Sequence, residues 1–187
     1  QQRFSEAISQ RKDTTSFIAS ARQLAQQYPA NSAAQIMLGQ VLLFNDHHQQ
    51  ALEAFEAGLT LNPAQPELEL LAGTVAMQLE QYESAQRHYS QAVGLEPANA
   101  RYRVHLAQSL VAQQQYDAAR QVLIEALKLD SNMHQAYAGL GDLYARENKL
   151  ELAIQQVKRA IELTPEQDAR SLSAYTRRHA ALLRRAN

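Results

Sequence analysis

Residues 66–99 read PELELLAGTVAMQLEQYESAQRHYSQAVGLEPAN, and residues 100–133 read ARYRVHLAQSLVAQQQYDAARQVLIEALKLDSNM. Laid over one another they share Ala85 with Ala119, Ala92 with Ala126, and Leu95 with Leu129. The same step, from position 66 to position 100, extends outward in both directions. Ala51 and Ala153 complete the first column, Gly58 and Ala160 the second, Leu61 and Leu163 the third. Pro29, Pro63, Pro97 and Pro165 keep the period, with Ser131 in the place of the missing member. A column of small residues reads Gly39, Gly73, Ala107, Gly141, and one of larger residues reads Phe55, Tyr89, Leu123, Val157. Internal repetition at such a period is the signature of a stacked array, in which no single unit can bury its apolar face alone.

Inside each copy the apolar spacing is three and four, the period of a helix face. Val104, Leu110 and Val111 lie in one segment, and Ala119, Leu123, Ala126 and Leu127 in the next. Short polar breaks such as Gln114-Gln115 and Asn148-Lys149 separate the two. Each copy therefore predicts two helices of about 13 residues, joined by a tight turn. Asn99 and Asn132 stand near the starts of first helices, where a side-chain oxygen caps free N–H groups. The small column predicts close helix crossings filled by the large column, and the Leu column predicts the stacking seam. Composition agrees, because 32 Ala, 25 Leu and 24 Gln outweigh 6 Gly and 5 Pro, and the first three enter helices at little cost.

Leu38-Gly39, Tyr82, Ala85, Tyr89, Ala92, Pro97, Tyr116, Leu140-Gly141 and Pro165 together resemble the tetratricopeptide repeat (TPR). The resemblance implies an all-α fold, a right-handed α–α superhelix or solenoid of antiparallel helical hairpins. Its units would be residues 32–65, 66–99, 100–133 and 134–167. Residues 1–31 would form a degenerate N-terminal hairpin, with residues 2–11 its incomplete first helix, and residues 168–187 a capping helix. Tyr175 stands where a fifth repeat would want Gly, which favours the cap.

Chemistry is sparse. The chain has no Cys, hence no disulfide, thiolate metal site or cysteine nucleophile. Its six His residues lack metal-ligand spacing, and pairs such as Glu53/Glu56 and Glu67/Glu69 read as exposed helix carboxylates. No phosphate-cradling Gly loop is present. No enzyme activity, cofactor or metal is expected. No apolar run reaches the roughly 20 residues of a membrane span. A net charge of −1 disfavours nucleic acid as a partner. The sum conceals a gradient, from +2 over residues 1–31 through −7 over 32–167 to +4 over 168–187. Arg170, Arg177, Arg178, Arg184 and Arg185 read as a solvated cap face, or as a basic surface for self-association with the acidic middle of a second copy. Gln1-Gln2-Arg3 has neither an initiator Met nor the apolar stretch of a signal peptide. The chain thus reads as trimmed, and its localisation stays open.

The expected function is a noncatalytic scaffold that binds a protein or peptide partner. The alternative is a TPR segment of a larger enzyme or of an envelope polysaccharide-export or secretion protein, serving regulation or substrate presentation. By the resemblance, first helices line the concave face. The candidate partner-binding residues there are Ile36, Gln40, Leu43, Phe44, Leu70, Thr74, Met77, Val104, Gln108, Val111 and Asp142. The ladder Gln40, Thr74, Gln108, Asp142 would bond a peptide backbone, and the row Ile36, Leu70, Val104 would either take its side chains or pack between first helices. The Lys, Asn and Arg clamp by which some TPR domains hold a C-terminal carboxylate is absent from these positions, and Asp142 would repel an anionic terminus.

Overall fold

A computed structural model describes residues 2–186, with side chains described from residue 15 onward. Among the described residues there are ten helices and no strand. They are α1 (Gln2–Gln27), α2 (Ser32–Phe44), α3 (His48–Leu61), α4 (Pro66–Gln78), α5 (Tyr82–Leu95), α6 (Ala100–Ala112), α7 (Tyr116–Leu129), α8 (His134–Arg146), α9 (Leu150–Leu163) and α10 (Ala169–Ala186). The fold is all-α and built from antiparallel hairpins, α2/α3, α4/α5, α6/α7 and α8/α9. The first helix of every hairpin has 13 residues and the second 14. The chain divides into two compact units, one ending at Leu95 and one beginning at Glu96.

Each hairpin crosses where a small residue meets a large one. A Cβ added to Gly73 would lie 2.6 Å from Tyr89 Cε1, and one added to Gly141 would lie 2.5 Å from Val157 Cγ2. Gly39 faces the Phe55 ring in the same way. Ala107, the member of the small column in the third hairpin, is buried in the same core cluster as Leu123. Phe55, Tyr89 and Val157 thus face Gly within their hairpins, and Leu123 stands against Gly139, 2.9 Å from an added Cβ.

The three-residue turns inside the hairpins share one geometry. Asp46, Glu80, Gln114 and Asn148 have φ of 61°, 59°, 63° and 57° respectively. That is the left-handed region, which L residues rarely occupy. The following residue donates five residues back in every case, His47 to Leu42, Gln81 to Ala76, Gln115 to Leu110 and Lys149 to Tyr144. This is the Schellman closure of a helix end, with a polar residue where Gly is usual. Asn31 and Asn99 cap α2 and α6, each accepting from backbone N–H groups of the first turn.

Four expectations need correction. Residues 1–31 are not a hairpin: α1 runs without interruption from Gln2 to Gln27. Between Arg3 and Thr14 the only apolar residues are Phe4, Ala7 and Ile8. They are too few to pack a separate helix, so the backbone continues its own hydrogen-bond ladder. Gln1 and Asn187 lie outside the described residues. Asn132 is no cap; Met133 occupies that position in α8, and the Asn132 N–H donates to Asp130 Oδ1 instead. Leu61, Leu95 and Leu129 are exposed, so the Leu column is not the seam; buried Ala, Leu and Val of the helix interiors make it. Glu69 is buried, at 6% exposure, rather than a solvated carboxylate.

Two substitutions test these packing and turn arguments. Gly73→Ala drives a Cβ into the Tyr89 ring and is expected to destabilise the chain by about 1–3 kcal/mol. Gln114→Gly relieves the left-handed strain, less the entropy Gly loses on folding, and is expected to stabilise by about 0.5–1 kcal/mol. Urea unfolding followed by circular dichroism reads both; unchanged stability in Gly73→Ala would contradict the crossing geometry.

Candidate functional site

In the second unit, α6 and α8 lie side by side over α7, and α10 packs on α9 at the far edge. A cleft of about 290 Å³ opens among them. Its floor is apolar, from Val104, Ala107, Leu123, Ala138 and Leu143, and its rim is polar, from Gln108, Gln135, Asp142 and Arg178. The tight α6–α7 and α8–α9 crossings keep the floor rigid, since buried Ala107, Ala126, Ala138 and Ala160 permit close approach. Val111 and Asp142 also line a wider opening, shared with Ala145, Arg146 and Arg185.

Asp142 is the electrostatic centre of the rim. Its carboxylate meets the Arg178 guanidinium at 3.1 Å. Burial nevertheless pushes its pKa above the usual carboxylate range, against the opposing pull of Arg178 and Arg146, because a desolvated site disfavours the charged form. Arg178 also lies over the Tyr175 ring, 5.9 Å from its centroid. Tyr175 is buried and meets His134 edge-on, its hydroxyl 3.3 Å from His134 Nδ1. Arg146 stacks on Tyr116 at 5.3 Å, and Arg185 donates to the Ala145 carbonyl at 3.4 Å. Two guanidinium groups, those of Arg178 and Arg146, thus act on that one carboxylate.

The sequence-derived residues divide by unit. Val104, Gln108, Val111 and Asp142 converge on the cleft. Val104 is 4% exposed and forms floor rather than contact surface; Gln108 is exposed and Val111 half-buried. In the first unit, Leu70 is 6% exposed and belongs to the core. Ile36 and Leu43 are half-buried, and Ile36 packs on Gly58. Thr74 donates to the Leu70 carbonyl at 2.8 Å and accepts from the Tyr89 hydroxyl at 3.4 Å, so its hydroxyl is occupied within the chain. Met77 is half-buried, Gln40 is exposed, and Phe44 is 84% exposed. Sequence reasoning misses Tyr175 and Arg178, because a capping helix with solvated arginines leaves neither a place at the site. The departure of Tyr175 from the Gly column is the available signal.

A second polar cluster lies in the first unit. His88 Nδ1 is 2.6 Å from Glu69 Oε2 and His88 Nε2 is 3.2 Å from Glu56 Oε1, tying α5 to α4 and α3. Arg87 reaches the same Glu56 oxygen at 2.6 Å. These residues are 19 and 32 apart in sequence, so no local spacing announces them. Among the described residues no three His, Asp or Glu side chains converge as a metal site requires. No helix of the described residues is long and apolar enough to cross a membrane.

Models of the tetratricopeptide repeat match residues 32–65, 70–123 and 104–168. No curated protein is significantly similar in sequence. Among solved structures, MamA from Desulfovibrio magneticus RS-1 is 20% identical, with 90% of this chain and 95% of that one covered at a TM-score of 0.72. YrrB, described as a TPR protein with an unusual peptide-binding site, is 20% identical over 94% of this chain and 89% of its own, also at 0.72. PilF of Pseudomonas aeruginosa is 16% identical over 92% and 86%, at 0.66. At these identities the likeness is one of fold.

His134 and His105 make the second unit sensitive to pH. Burial is the main cause that lowers both below the usual imidazole range; Asp168 opposes it at His134, while at His105 Arg101 adds to it and Gln108 opposes it. The unfolded chain thus binds protons more readily than the folded one. Stability is fully present above the ordinary imidazole value of 6.5 and falls as pH drops below it. Urea melts at pH 7 and pH 5 are expected to show a larger loss for the native chain than for His105→Gln/His134→Gln. Equal losses would refute the assignment.

Proposed function

The chain belongs to the tetratricopeptide repeat family, and on that premise we propose that it is a noncatalytic interaction scaffold whose first-helix faces hold a peptide or helix of a partner protein. One observation carries the reading: Val104, Gln108, Val111 and Asp142, the second-unit residues that the family resemblance implies for the concave face, border a single cleft. A cleft with an apolar floor and a few polar rim groups is the usual form of a ligand site. The floor accepts a side chain, while the Gln108 amide both donates to and accepts from a backbone. Among the first-unit candidates, Gln40 and Phe44 are exposed and Ile36, Leu43 and Met77 half-buried.

The polar groups of the rim favour binding over catalysis. Its one carboxylate, Asp142, is matched by Arg178, whereas a reacting centre asks for a nucleophile and base aimed at a common point. Selection from a displayed peptide library on the native chain, followed by titration against Gln108→Trp, tests the reading. Gln108 is exposed, so the bulky indole fills the cleft mouth without burying a new group. Affinity is expected to fall at least about tenfold, a loss of about 1.4 kcal/mol. Gln121→Trp, at an exposed site on α7, is the control and is expected to bind as the native chain does. Equal affinity in all three chains would overturn the groove assignment.

A further inference from the structure

The cleft and the wider opening share Val111 and Asp142, so they form one continuous surface with two kinds of lining. The inner part is walled by Val104, Ala138 and Leu143; the outer part presents Arg146 and Arg185. Charge is unbalanced across it. Asp142 is the one carboxylate among the lining residues, and it is already matched by Arg178 at 3.1 Å. Arg146 acts on Asp142 through space, and the closer contacts of Arg146 and Arg185 are the Tyr116 ring and hydroxyl, and the Ala145 carbonyl at 3.4 Å. A guanidinium has five donors, so each keeps most of its capacity.

From this we infer that the second unit selects a peptide segment in which an apolar side chain stands next to a carboxylate. The apolar side chain enters the inner cleft, and the carboxylate bridges Arg146 and Arg185 at the opening. Arg178 stays with Asp142 and acts as a positioning residue that matches its charge at 3.1 Å. The half of the site that reads charge is thus divided between the last repeat, through Arg146 of α8, and the terminal helix, through Arg185 of α10. The inference rests on the groove reading above and adds the chemistry of the occupant. Neutral and basic segments are disfavoured, because they leave two guanidinium groups facing the ligand without an anion.

The test uses the full chain with two matched peptide libraries, one of random sequence and one in which every Asp and Glu is replaced by Asn and Gln. Peptides enriched from the first are resynthesised with and without their carboxylates and titrated by fluorescence anisotropy. The carboxylate form is expected to bind at least about tenfold tighter at low salt, and Arg146→Gln/Arg185→Gln is expected to erase that difference. Arg177→Gln/Arg184→Gln removes the same charge from exposed positions of α10 that do not line the cleft, and is expected to preserve it. Equal binding of the two peptide forms would overturn the selectivity and leave the groove standing. Loss of the preference in both double variants would reduce it to unspecific attraction and overturn it as well. Failure of both libraries to bind would overturn the groove reading together with this one. Circular dichroism of each variant checks that the helices remain.

Discussion

The rest of the structure depends on the meeting of a small residue with a large one at each hairpin crossing. Gly39 under Phe55, Gly73 under Tyr89 and Gly141 under Val157 leave no room for a Cβ, so the axes are as close as backbone permits. Close axes let the neighbouring Ala column disappear from solvent completely, as at Ala51, Ala85, Ala119 and Ala153. In the third hairpin the corresponding positions are Ala107 and Leu123, both buried in one core cluster. The cleft floor is a by-product, since it consists of the same crossings seen from the first-helix side.

The turns show where that constraint is met at local expense. A hairpin with tightly crossing helices requires a sharp reversal, and all four reversals put a non-glycine residue at positive φ. Each reversal is closed by a backbone N–H that reaches back into the helix, which returns an otherwise unpaired carbonyl to use. Asn148 is the best suited of the four to the left-handed region, and Glu80 and Gln114 the least. The strain is tolerated because packing on both sides fixes the reversal.

Whatever repeats is legible in the sequence, and whatever happens once is not. The hairpins follow from columns in register over four copies, and the Ala and Gly columns fall where helices cross. The Leu column keeps the same register yet is exposed at Leu61, Leu95 and Leu129, because periodicity marks equivalence of position and says nothing of depth. At α1 there is no register to read, and a continuous helix replaces the expected hairpin. The Glu69–His88–Glu56 cluster joins three helices through residues with no common spacing, so two of its members read as ordinary exposed carboxylates. Register read through the family resemblance leads to four candidate residues that line one cleft, while Leu70 and Val104 are buried.

The terminal helix joins stability and recognition in the same few atoms. Tyr175 is held by burial and by His134, and it supplies the ring over which Arg178 lies. Arg178 in turn fixes Asp142, whose carboxylate is costly to ionise in its half-buried place even with Arg146 nearby, since desolvation competes with the Coulombic gain. Removing Tyr175 would therefore take away the ring over which Arg178 lies and loosen the side chain that matches the charge of Asp142 at the cleft. Tyr175 stands in a column otherwise held by Gly and Ala, and its side chain is part of the wall of the cleft. The departure from the repeat is what makes this end of the array different from a plain continuation of it.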